Sequence, residues 1–130
     1  MRARAQFDSA RAMLEDSVAA HPTDARLHVA LGMAFAGLGR RDDAIRAARQ
    51  AMALAPLAAD VVRATCFMGG AAEIFASIGE NGAAIELLDR LLRLPAGREA
   101  SVPLLRVDPA YDRLRGDPRF ARMLQRYATR

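Results

Sequence analysis

The chain has 130 residues, 52% hydrophobic and 26% charged, with no Trp and a formal net charge of +4. That length suits one domain, and that composition excludes a collagenous, disulfide-knotted or wholly disordered chain. All nineteen basic residues are Arg; residues 1–92 hold ten against eleven acids and residues 93–130 nine against four, so the excess charge is C-terminal. It falls short of the dense basic stripe with stacking aromatics that a nucleic-acid domain carries, which disfavours that class.

The apolar content is mostly Ala and Leu, which favours helix. Arg4 to Ala20 places Phe7, Ala10, Leu14 and Val18 at helical spacing, so one amphipathic helix is expected there. Arg2 and Arg4 lead into Asp8, Arg11 and Glu15 and not into an apolar leader, and no run reaches the roughly 20 apolar residues that span a bilayer. With the single cysteine Cys66, this predicts a soluble protein of a reducing, cytoplasmic compartment. Pro22 and Pro56 stand thirty-four residues apart, and the stretch between them reads as two helices broken at Leu38–Arg41. Two antiparallel helices approach closely only where a side chain is nearly absent, so Gly32 and Ala44 are predicted to touch, with Leu31, Phe35, Ile45 and Met52 filling the space around them. Pro56 ends the second helix by removing a donor.

A longer helix from Leu57 to Ile78, kinked at Gly69–Gly70, and a partner from Glu80 to Leu94 are predicted next. Beyond Pro95, Ser101 with Pro103, Asp108-Pro109 and Asp117-Pro118 are three helix starts, each an N-cap followed by Pro. The last helix, Pro118 to about Ala128, carries Phe120, Met123, Leu124 and Tyr127 at helical spacing. Phe120, Leu124 and Tyr127 are predicted to dock on the Glu80–Leu94 helix and close its apolar face, with Leu88 and Leu91 beneath them.

Residues Ala25 to Pro56 resemble a tetratricopeptide repeat (TPR): Leu31 and Gly32, Phe35, Ala44, Ala51 and Pro56 stand at its seventh, eighth, eleventh, twentieth, twenty-seventh and thirty-second places. His28 and Ala48 depart from it by replacing larger residues. A second copy follows with Ala72, Phe75, Gly79, Ala84, Leu88, Leu91 and Pro95, its Gly79 forty residues after Gly39. The tail resembles the C-terminal ending of bacterial TPR proteins, although Arg113 stands where those often carry Pro. The resemblance implies an all-α, TPR-like α-α superhelix, a right-handed solenoid of antiparallel helix pairs with a C-terminal capping helix. It implies one domain over residues 1–130, divided into a half repeat (4–20), a complete repeat (24–56), a lengthened repeat (57–95) and a cap (101–128).

Such regions in known relatives lie downstream of kinase, cyclase or regulator domains, so membership of a larger regulatory protein is implied too. The concave face of the resembled stack would be lined by Arg26, Val29, Met33 and Ala36 and by Cys66, Gly69, Glu73 and Ala76. The implied function is a non-catalytic protein–protein interaction scaffold, with Met33 and Val29 holding a peptide that Arg26 and Glu73 orient. The bland alternative is that these residues only finish the packing. The family's carboxylate clamp does not carry over, because the chain has no Lys and its single Asn, Asn81, falls in a turn. The 4–20 helix lacks its partner, so Phe7, Leu14 and Val18 are expected either to fold over the neighbouring pair or to join two copies in a weak homodimer.

Catalysis needs convergent groups, and few are present. His21 precedes Pro22 in a turn, His28 sits at a repeat core position, and Cys66 is expected to be a small buried hydrophobe. No metal-ligand spacing occurs, and Gly37-Leu38-Gly39 lacks the third glycine of a dinucleotide loop, so neither enzyme activity nor a cofactor is expected. The alternative functional reading is that Arg113, Arg115, Arg119, Arg122 and Arg126 contact nucleic acid or another polyanion; Arg119, Arg122 and Arg126 share one helix face.

Overall fold

Residues 2–55, 61–94 and 101–128 are described in a computed structural model of the chain. They form α1 (Arg2–Ala20), α2 (Ala25–Gly37), α3 (Arg41–Leu54), α4 (Val61–Ser77), α5 (Asn81–Arg93), α6 (Val102–Val107), a 3-10 helix (Pro109–Leu114) and α7 (Pro118–Ala128), and no strand occurs among them. Pro56 and Leu57, to which the sequence assigns a helix stop and a helix start, and Pro95 of the second repeat lie outside the described residues. No helix is long and apolar enough to cross a membrane among the described residues.

Local chemistry sets the boundaries. The chain leaves α1 at His21-Pro22, where the residue before proline is steered away from helical dihedrals, and Asp24 Oδ1 then caps α2 by accepting the Arg26 amide at 3.1 Å. Gly39 adopts φ +74° and Gly79 φ +83°, the left-handed region that favours glycine. Around each, one pattern of hydrogen bonds closes a helical hairpin: Arg40 N to Phe35 O and Glu80 N to Phe75 O, both at 2.9 Å, then Ala44 N to Arg40 O and Ala84 N to Glu80 O, both at 3.0 Å. The α2–α3 and α4–α5 hairpins therefore share one turn geometry forty residues apart, and the extra residues of the second unit lie before this turn.

α2 packs on α3, α4 on α5, and α4 also lies against both α2 and α3. Gly32 sits where three helices meet: a methyl built on it would lie 2.7 Å from Ile74 Cδ1, 3.3 Å from Ala47 Cβ and 3.6 Å from the Ala44 carbonyl oxygen. The expected approach to Ala44 is present, and α4 presses closer still through Ile74. Hydrogen bonding in α4 runs unbroken through Gly69 and Gly70, so the expected kink is absent. Gly70 instead lets α2 draw near, because a methyl there would come within 2.9 Å of Val29 Cγ1.

The first hairpin is thin, since α3 buries only alanines, Ala44, Ala47, Ala48 and Ala51. At positions forty residues on, α5 buries Ala84, Leu87, Leu88 and Leu91, which widens the core. The tail fills that width with Leu105, Tyr111, Leu114, Phe120, Met123, Leu124 and Tyr127. α7 docks on α5 as expected. The tail also does something else: the 3-10 helix lies against α4 and touches α5. It bends at Tyr111 (φ −110°, ψ 16°). The Arg115 guanidinium donates to the carbonyls of Arg106 (2.9 Å) and Asp108 (2.7 Å) and braces that bend.

The apolar face of α1 is turned toward the helix that follows it. It packs on α2, with Leu14 and Val18 against the core and the Phe7 ring over Gly37.

Candidate functional site

Four residues named from sequence, Arg26, Val29, Met33 and Glu73, line two adjoining clefts between α2, α4 and the tail. One, of about 490 Å³, has Arg26 and Val29 on α2, Cys66, Gly69 and Glu73 on α4, and Leu104 and Tyr111 on the tail. The other, of about 470 Å³, has Phe7 on α1, Met33 and Ala36 on α2, Glu73 and Ile74 on α4, and Ala110 and Arg113 on the tail. Glu73 belongs to both and stands at the ridge between them. Both volumes fall in the range of clefts that hold ligands.

Spacing explains the arrangement. In α2 the residues at 26, 29, 33 and 36 follow three- and four-residue steps, so they share a face opposite Leu31 and Phe35, which go into the core. The same steps in α4 bring Cys66, Gly69 and Glu73 to the clefts, but Ala76 is fully buried and lines neither. Cys66 is exposed, contrary to the expected buried thiol, because it lies on this open face of α4 while Phe67 and Met68 turn inward. Gly69 has no side chain to shield it.

Apolar surface and charge are both available here. Phe7 is 37%, Met33 38% and Leu104 43% exposed, unusual for large apolar side chains. Arg26 is engaged: its guanidinium folds back on Asp24, and this hydrogen bond, ahead of the capping amide, holds the Asp24 carboxyl below its ordinary range. Glu73 also interacts within the chain. Arg113 is exposed and makes no hydrogen bond or ion pair among the described residues.

The remaining basic tail residues are dispersed in role. Arg115 is tied to backbone carbonyls and to Asp112, Arg119 to Asp117 (2.8 Å), and Arg126 to Asp89 (3.2 Å). Arg119, Arg122 and Arg126 do share a face, and it lines a cleft of about 530 Å³ against α5 together with Glu86 and Asp89. Two carboxylates among three guanidiniums suit an internal seam better than a surface for polyanions.

The candidate catalytic groups are apart. His28 is buried and its Nε2 donates to the Pro22 carbonyl at 2.8 Å, tying the α1–α2 turn to the core; His21 is exposed in that turn. No group of three or more His, Cys, Asp or Glu suited to a metal occurs among the described residues.

Sequence reasoning missed Leu104 and Tyr111 as walls of the clefts, and it named Phe7 and Arg113 for other roles. One signal for the tail was present, because residue 101 follows Pro95 much as α4 follows Pro56, so the tail takes the next place beside α4. No protein-family model, curated protein or solved structure matches this chain.

Proposed function

We propose that the chain is a non-catalytic protein-interaction module that binds a peptide segment of a partner along the α2/α4 face, as part of a larger cytoplasmic regulatory protein. In this reading the two hairpins are TPR-like units of a short right-handed superhelix, and α6 to α7 cap it. The observation that carries it is the pair of open clefts lined by Arg26, Val29, Met33 and Glu73, with large apolar side chains left half exposed.

The test is to sort a random dodecapeptide display library on the immobilised chain and measure the enriched peptides against Met33→Asp, a substitution at a half-exposed site. If Met33 is one of the few contacts that carry the binding energy, its replacement costs about 1–2 kcal/mol, so affinity is expected to fall about tenfold while the variant melts like the parent. Peptides that bind parent and variant equally would overturn the reading. Contact of the arginine-rich tail with a polyanion is the weaker reading, since Arg115, Arg119 and Arg126 are engaged within the chain; it requires binding that falls steeply with salt and with loss of Arg122.

A further inference from the structure

The cleft beside α1 holds more information about its occupant than the groove as a whole. Its walls, Phe7, Met33 and Ile74, form an apolar slot, and Arg113 of the 3-10 helix stands at its edge. Of the two charged side chains lining it, Glu73 interacts within the chain, and Arg113 makes no hydrogen bond or ion pair among the described residues. The acid next to Arg113 is also engaged, because Asp112 pairs with Arg115. In the neighbouring cleft Arg26 is held by Asp24. One positive charge beside an apolar slot is thus left to be matched from outside, on a chain whose net charge is +4.

Resting on the groove reading above, we infer that this cleft takes a segment of a partner protein that presents a bulky apolar side chain next to an Asp or Glu. The apolar side chain enters between Phe7, Met33 and Ile74, and the carboxylate meets the Arg113 guanidinium, whose planar fork donates two parallel hydrogen bonds. Recognition of the acid depends on that one residue. Met33–Gly37 and Glu73–Ser77 are the last turns of α2 and α4, where backbone carbonyls carry partial negative charge that disfavours a carboxylate. Without Arg113 the slot is left selective for apolar groups alone.

The same dodecapeptide library distinguishes the two levels of the argument. Sorting on the parent chain should enrich Leu, Phe or Met adjacent to Asp or Glu, with affinity falling as salt rises. Those peptides should bind Arg113→Glu about tenfold more weakly, since attraction becomes repulsion at an exposed pair. A fresh sort on Arg113→Glu should replace the acid with Lys or Arg and keep the apolar residue. Peptides that need Met33 but carry no acid, or acidic peptides indifferent to Arg113→Glu, overturn this inference and leave the groove reading standing. Peptides indifferent to Met33→Asp overturn both.

Discussion

Asp24 and Asp117 start two helices in the same manner. Each carboxylate accepts the amide of the arginine two residues on, at 3.1 and 2.9 Å, and each of those arginines folds its guanidinium back onto the same carboxylate. Hydrogen bonding from Arg119, side chain first and amide second, lowers Asp117 from 3.8 to about 2. A carboxyl lowered on folding adds stability above its unfolded value and loses it as pH falls toward the folded one, so this contribution is present above about pH 4 and gone near pH 2. Asp117→Asn keeps a good cap and removes the charge; its thermal midpoint should lie below the parent's at pH 7 and meet it near pH 2. Gly32 is a second critical residue. Gly32→Leu would drive a side chain into fully buried Ile74, at a cost of about 1–3 kcal/mol or more, read as a fall in thermal midpoint of several degrees. Gly70→Ala should cost less, because it meets Val29, which is only half buried and has room to turn. The caps and the small residue at 32 were legible in the sequence, since each is a local pattern. Ile74 as the neighbour of Gly32 was not, because nothing in a helical period tells which distant side chain crosses a gap.

Among the elements, α7 is held by more than apolar contact. Tyr127 OH donates to Asp89 Oδ1 at 2.9 Å and accepts from Arg93 Nε at 3.2 Å, while Arg126 reaches the same Asp89 oxygen. Tyr127→Phe removes the bonds to Asp89 and Arg93 and should lower stability by about 1 kcal/mol, measured by denaturant unfolding. Deleting residues 109–130 should do far more, exposing Leu88 and Leu91, which are now buried; light scattering and binding of an apolar dye should report aggregation. The helices themselves were readable from spacing and punctuation, as the repeated Gly39 and Gly79 turns illustrate. The glycine pair in α4 misled because glycine inside a helix signals either a bend or a close neighbour, and only the position of Val29 decides between them.

At the scale of the whole molecule, the core is lopsided: alanines hold α3, leucines and the tail hold α5, and α1 is exposed along most of its length. Amide exchange should therefore protect α5 most and α1 least. With Phe7, Leu14 and Val18 laid on α2, the chain is expected to scatter light as a monomer over a range of concentrations, and Phe7→Glu should lower stability without changing mass. The face of α2 that forms the cleft floor was legible because it obeys a helical period; the walls were not, because they come from three segments whose meeting depends on how the tail bends. That bend rests on hydrogen bonds from Arg115 to the backbone carbonyls of Arg106 and Asp108, acceptors that take up no proton as pH falls. Acid should accordingly loosen the chain in order, releasing the start of α7 at Asp117 while the corner from Leu105 to Arg115 keeps its shape and its place against α4.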